Sequence, residues 1–527
     1  MDSTSESPLL SFDTFHNVIG GQLRGAPRTY SGTNPVNKKT LWEAPVATSQ
    51  DVDDAVAAAQ EAFPAWSATE YATRTGLLED FAKLYLAHSS QLTELLVAET
   101  ESKTPLAASN VLTLIQTQFA AIEVQWAVQW IRQPASVTWP VERIEDDEKV
   151  ATTRYEPLGV VAAICPWNFP LMLGDMILPC NRKDCPRLSR WQLCNFETIV
   201  SNQHNSGSAR INQVFLNRPF TPYTGLKLIE LAQQIFPPGV VQALGGDEKL
   251  GPLLVEHPGI QKISFTGSTE TGKKIMQSGA KTLKKLTLEL GGNDAAIVLS
   301  DADINKVAPQ VAMGVWFNAG QTCIAIKRIY IHHTIYSDFL RALVEFTKTL
   351  RVGSLPAPND PRPAMIGPIQ NSMQFDKLQD LIKDCKENGY TFALGGSESG
   401  DLTTEALREG FFIPPQILDN PPSESRIVAE EQFGPMVPCN PFSTIEEAIE
   451  AVNSTQTGLS ASIWSADTKV AQEIADKVDV GSVYVNGPSR PYPEVPFSGH
   501  KQSGIGVEYG LPGLLQFCQP KAVISYK

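Results

Sequence analysis

An α/β fold in two or three domains is what this sequence predicts, on three observations. Its 527 residues exceed what one compact hydrophobic core accommodates. Short apolar runs such as Gly159-Val160-Val161-Ala162-Ala163-Ile164-Cys165, ended by Pro166, have the length and unbroken hydrophobicity of buried parallel strands. Such runs alternate with stretches of helical period, the pattern that covers a sheet with helices.

The elements follow in order. Residues 18–47 carry Gly20-Gly21 and Gly32-Thr33-Asn34-Pro35 between short apolar runs, a pattern of small strands and turns. Ser49 is a candidate cap for the Ala-rich helix that follows, and helical spacing continues through 74–86, 91–99 and 107–130. From Ser136 to Tyr155 the residues alternate and are rich in charge, as in a solvated hairpin. Beyond it, 240–246 and 260–266 are strand-like and flank a helix at 248–255. The turn Gly267-Ser268-Thr269-Glu270-Thr271-Gly272 opens the next helix, where exposed N–H groups and the positive helix end suit a phosphate. Strand and helix alternate again through 328–332, 337–350, 437–442, 445–452 and 461–464, with a turn-rich loop at 359–363.

Composition narrows the function. A 42 % apolar and 19 % charged chain is ordinary for a folded enzyme, and a net charge of −14 argues against nucleic acid or an anionic membrane surface as partner. No uncharged apolar run reaches the roughly 18 residues of a membrane span. Eight scattered Cys, with neither a basic leader nor an Arg-rich amphipathic start, favour a reducing, cytoplasmic setting.

The chemistry centres on 286–323. Glu289 ends an apolar, strand-like run just before Gly291-Gly292, and Cys323 follows Gly320-Gln321-Thr322. A free thiol of pKa about 8.5 is only a few per cent thiolate at neutral pH, so a nearby carboxylate that takes its proton activates it. The bland alternative makes Cys323 one more small buried hydrophobe.

Six motifs in fixed order decide between these: Pro166-Trp167-Asn168-Phe169-Pro170, the Phe265 to Gly272 turn, Glu289-Leu290-Gly291-Gly292, Gly320-Gln321-Thr322-Cys323, Glu431-Gln432-Phe433-Gly434-Pro435, and Pro496-Phe497-Ser498-Gly499-His500-Lys501-Gln502-Ser503-Gly504. Together they make the chain resemble the aldehyde dehydrogenase superfamily from about Asn17 to Lys527. The resemblance implies two Rossmann-type α/β domains plus a small β oligomerisation hairpin: a cofactor domain at 1–135 and 156–289, a catalytic domain at 290–514, and oligomerisation strands at 136–155 and 515–527. Ala522 to Tyr526 would pair with the hairpin in a homodimer or homotetramer. The resemblance further implies Cys323 as nucleophile, Glu289 as the base that hydrolyses a thioester, and Asn168 with the Cys323 N–H as oxyanion donors. Trp167, Gly267, Ser268, Gly272, Glu431 and Phe433 would bind NAD, the family's commoner cofactor, with NADP left open. Phe497 would line the mouth for a small-molecule aldehyde. No metal set is expected.

One segment, at about 177–218, departs from the family pattern. Where the family has a small-residue helix, a buried strand and a Lys-Pro-Ser turn, this chain is polar, basic and roughly two dozen residues longer, and the likeness resumes at Pro219. The family's ribose-binding Lys would fall near Leu216, and losing its charge-assisted bond costs roughly 1.5–3 kcal/mol. Cys180, Cys185, Cys194 and His204 match no compact zinc spacing. A missing buried strand would leave backbone groups unpaired, and Gln213-Val214-Phe215-Leu216 is the one short apolar replacement. A faulty exon junction would explain the segment. Two other readings therefore accompany aldehyde oxidation: an inactive relative or faulty product, and a cofactor-free thiol esterase.

Overall fold

The computed structural model describes residues 11–100, 123, 125–132, 142–171, 212–217, 220–353, 364–396 and 405–527. Its first sheet has eight strands, in the order Gln22–Arg24, Asn17–Ile19, Val241–Gly245, Asn212–Asn217, Val160–Ile164, Lys262–Thr266, Lys285–Glu289 and Gly504–Ile505. The five from Val241–Gly245 to Lys285–Glu289 are parallel, and the strands beyond them at both edges run antiparallel. All five residues of Val160–Ile164 are buried, as expected for a strand covered on both faces.

From Val160–Ile164 the chain builds outward through Asn212–Asn217 to Val241–Gly245. It then crosses back to lay Lys262–Thr266 on the other side of Val160–Ile164. That reversal opens a crevice beyond the carboxyl ends of the two adjacent strands, where open α/β sheets bind ligands. The residues leaving these ends are Trp167-Asn168 and Gly267-Ser268.

The expectation of a lost buried strand is corrected here. Asn212–Asn217 fills the slot between its two neighbours, paired from Val160↔Asn212 to Ile164↔Leu216 and from Gln213↔Val241 to Asn217↔Gly245. A parallel ladder needs backbone partners and a side chain that tolerates burial, and Val214 is fully buried there. The remainder of 177–218, with Cys180, Cys185, Cys194 and His204, lies outside the described residues. So do most of the 107–130 helix, the start of the hairpin and the 359–363 loop.

Helices cover both faces of the first sheet. Tyr71–Ala87, Ser89–Thr100 and Tyr223–Ala232 bury Phe81, Leu95 and Leu226 on one side, while Ser49–Ala68 and Leu250–Glu256 bury Val56 and Leu254 on the other. The helix Ser49–Ala68 is capped by Thr48 rather than Ser49: Thr48, in extended backbone, accepts from the Asp51 N–H, and the Asp51 carboxylate accepts from the Thr48 N–H. This reciprocal box satisfies two donors that a cap at Ser49 would leave open.

A second sheet of seven strands runs Thr391–Leu394, Gln416–Asp419, Met436–Phe442, Arg328–His332, Ala295–Val298, Ser460–Trp464 and Ser482–Val485, parallel throughout except at Thr391–Leu394. Its faces bury Trp316 and Phe339 on one side and Ile297 and Ile463 on the other. Truncating Trp316, whose Nε1 donates to Thr347 Oγ1 at 2.9 Å, would cost about 3–5 kcal/mol. A third sheet pairs Cys518–Tyr526 with Lys149–Pro157 along nine residues, with Glu142–Glu145 outside them. Ile144, Ile524 and Tyr526 are exposed on it.

Candidate active site

The site forms where the carboxyl ends of the first sheet meet the turn that precedes Arg328–His332 in the second. Glu289 is the last residue of its strand, its backbone paired with Gly504 on one side and Thr266 on the other. Its side chain is 3 % exposed, and Oε1 has no hydrogen-bond partner. Burial pushes its pKa up from the usual 4.5 to about 7, with the nearby Cys323 thiol and Thr266 opposing the rise. The thiol and the carboxyl therefore lie within each other's electrostatic reach. Burial, and then the Glu289 charge, hold the Cys323 thiol well above its ordinary value, while Lys327 opposes them. At rest the thiol keeps its proton, with the Glu289 carboxyl near it.

The turn carrying Cys323 is shaped by three successive left-handed residues, Asn318, Ala319 and Gly320, with φ of +50°, +53° and +73°. At Gly320 an added Cβ would collide with the carbonyl of Gly434, so only glycine lets the two backbones meet. Gln321 pins the turn from within: its Nε2 donates to Asn318 O and Pro368 O at 3.1 Å, and its Oε1 accepts from the Gln370 N–H at 2.9 Å. Asn168 Nδ2 donates to Gln321 O at 3.1 Å, which brings the amide to the turn just ahead of the thiol. Asn168 is buried.

Glu431 lies on the opposite side of the turn. Gly292 N–H donates to its Oε1 at 3.2 Å, and at Gly291 any Cβ would run into its carboxylate, so the glycine pair admits the acid against the backbone. Phe433, itself at φ +55°, meets Trp167 edge to face with centroids 5.4 Å apart. Gln374 Nε2 holds the carbonyls of Gln432 and Phe433 at 2.8 and 3.0 Å. The Gly267 N–H bonds back to Glu289 O at 3.0 Å, Ser268 Oγ caps the helix Thr269–Gly279 by accepting from the Thr271 N–H, and Gly272 is close-packed on Leu290. A half-exposed carboxylate, two aromatic rings and a helix start at the switch-point crevice suit a dinucleotide's hydroxyls, ring and phosphates.

Phe497 is buried and stacks on Tyr509 at 5.5 Å, in a cluster with Ile324, Leu459 and Cys323. Beside Asn168, Phe169 stacks on Phe317 at 6.2 Å, with Trp126 tilted against the same ring. Sequence reasoning missed four polar groups here, three of them buried and Glu508 half-buried. Gln321 holds the turn; Asp294, raised to about 6 by burial, accepts from Ser460 Oγ at 2.5 Å. Glu508 is raised to about 8 by burial and then by the Glu289 charge. Lys327 lies beneath Cys323, and its signal was legible: Lys327-Arg328 is a charged pair at the start of an otherwise apolar strand. Among the described residues no group of three or more His, Cys, Asp or Glu could hold a metal ion, and no helix is long and apolar enough to cross a membrane.

The chain is similar to known proteins over nearly its whole length. The profile of the aldehyde dehydrogenase family matches residues 23–179 and 212–523. The match resumes at 212, at the start of the recovered strand and not at Pro219. Aldehyde dehydrogenase LUC3 of Fusarium sp is 48% identical over 519 residues, covering 98% of this chain and all of that protein. Human retinaldehyde dehydrogenase 3 is 33% identical over 503 residues, covering 94% of this chain and 89% of its own. Betaine aldehyde dehydrogenase of Staphylococcus aureus, solved with NAD+, superposes with a TM-score of 0.85 at 26% identity, covering 97% of this chain and 95% of that one.

Proposed function

The chain belongs to the aldehyde dehydrogenase family, and from that membership we propose that it oxidises an aldehyde to a carboxylic acid with NAD(P)+, through a thioester on Cys323. The observation that carries this reading is the buried Glu289 carboxyl, raised to about 7 and lying within electrostatic reach of the Cys323 thiol. Glu289 takes the thiol proton, and the sulfur adds to the aldehyde carbon. Asn168 Nδ2 and the Cys323 N–H then receive the oxygen as it gains negative charge. A bound nicotinamide supplies the hydride acceptor. Glu289 then gives up the thiol's proton to solvent, draws a proton from water whose oxygen attacks the thioester carbonyl, and passes it to the departing sulfur, which releases the acid and restores the thiol.

Glu431, Phe433 and Trp167 would hold the nicotinamide ribose and ring, and Gly267, Ser268 and Gly272 the phosphate side. NAD is favoured, as in the solved Staphylococcus relative. The three sheets suit a cofactor domain at 1–135 and 156–289, a catalytic domain at 290–514, whose Gly504–Ile505 lends an edge strand to the first sheet, and oligomerisation strands at 136–155 and 515–527. The exposed apolar face of the third sheet suits a homodimer or homotetramer, and the free thiols of Cys165, Cys385, Cys439 and Cys518 suit the cytosol.

The test is NAD(P)H formation with short and long aldehydes, compared with Cys323→Ala. We expect reduction by the wild type and none by the variant. No reduction across the panel by folded protein would reject the dehydrogenase reading, and ester cleavage persisting alone would favour the esterase.

A further inference from the structure

Lys327 is a cation with almost no access to water, its side chain 3 % exposed. Its ammonium donates to Thr322 O at 2.9 Å and Cys323 O at 2.6 Å, and it pairs with Glu431 Oε1 at 3.3 Å. Phe433 lies 5.9 Å away, measured to the ring centroid. Its own N–H is fixed to Asp294 O at 2.9 Å. A cation this deep is costly unless its hydrogen bonds and charge are answered, and here they are answered by the nucleophile's own peptide and by the carboxylate on the far side of the turn.

A tie to carbonyls alone would be served by any neutral donor, so the charge calls for a reason. The titratable groups facing the thiol are Glu289, Asp294, Lys327, Tyr484 and Tyr509. Glu289 and Asp294 oppose a thiolate by their negative charge, and Lys327 is the cation that favours one. Glu431 in turn partly neutralises Lys327 through their ion pair.

We propose that Lys327 is a positioning residue for the reaction: its ammonium clamps the Cys323 peptide to Glu431 and supplies the positive charge that makes the thiolate accessible. The inference rests on Cys323 being the nucleophile. Glu431 thereby sets how much of the Lys327 charge reaches the sulfur, and the two residues act on Cys323 with opposite sign.

That opposition is testable without cofactor or aldehyde. Alkylation of Cys323 by iodoacetamide, in which the thiolate forms the new C–S bond and iodide leaves, is followed by peptide mass spectrometry from pH 6 to 10. The full-length wild type, Lys327→Met and Glu431→Gln are compared. Lys327→Met should shift the rate–pH limb upward by roughly one unit, about tenfold slower at fixed pH, and Glu431→Gln should shift it downward. Shifts of the same sign in two folded variants, or an unmoved limb in Lys327→Met, would reduce Lys327 to a structural tie and overturn the proposal. Should Lys327→Met fail to fold, the partly exposed Glu431→Gln carries the test, and an unmoved or raised limb overturns it. Loss of the dehydrogenase reading would show separately, as Cys323→Ala retaining cofactor reduction.

Discussion

Replacing Glu289 with Gln tests the site most directly, because the structure sets both the sign and the size of the effect. The carboxyl is buried, one oxygen lacks a partner, and burial raises its pKa to about 7. The basic form is the ionised one, so wild-type kcat should plateau above pH 8 and fall as pH drops through 7. At pH 6 about one tenth of the carboxyl is ionised, giving roughly a tenfold loss. Glu289→Gln should lower the plateau by about 10²–10⁴-fold and remove the acid limb. Stability should run the other way. A carboxyl with raised pKa favours the fold in its protonated form, and that contribution is lost as pH rises through about 7. Glu289→Gln, which never ionises, should therefore gain on the wild type by roughly 3 kcal/mol at pH 8.5 and by little below pH 4.5. Steady-state kinetics and denaturation, both followed against pH, measure the two. A wild-type profile flat from pH 6 to 8, or a variant that keeps the acid limb, would refute the assignment of Glu289 as base.

Other outcomes follow from neighbouring contacts. Asn168→Ala should cost about 10²–10³-fold in kcat, as expected for a lost oxyanion donor, while the lost bond to Gln321 O lowers stability by only about 1 kcal/mol; the readout is kinetics beside thermal melting. Gly320→Ala forces a Cβ against Gly434 O at positive φ and should slow iodoacetamide labelling of Cys323 more than tenfold by displacing the turn. Glu99 is buried and its carboxyl accepts from the Tyr223 and Thr224 N–H groups at the start of Tyr223–Ala232. Glu99→Ala should destabilise by about 2–3 kcal/mol in chemical denaturation, since two buried donors lose their partner. Ile524→Glu should shift the sedimentation coefficient toward a smaller species if the third sheet packs on a second copy.

Much of this protein was legible in one dimension because the signals are local. Val160–Ile164 reads as a buried strand from its own side chains, and the six motifs mark the residues that leave strand ends. Asn168, Glu289 and Cys323 stand out as candidates because an amide, a carboxylate and a thiol differ from the apolar runs around them and fall within the family motifs. Misreadings occurred where local preference and pairing disagree. Asn212–Asn217 is weakly apolar and follows a polar stretch, yet two neighbouring strands offer it a full ladder, and backbone pairing decided its state. Thr48 rather than Ser49 became the cap because the backbone turns extended there.

The sequence by itself determined the α/β class, the order of the chemical residues and the family. Only the tertiary structure decided that Lys327, Gln321, Asp294 and Glu508 belong to the same site, that Glu289 ionises near neutrality, and that Gly320 must be glycine. Those properties come from burial and from contacts between residues far apart in the chain. A charge acquires its pKa, and a backbone its steric limits, from neighbours that linear order does not name.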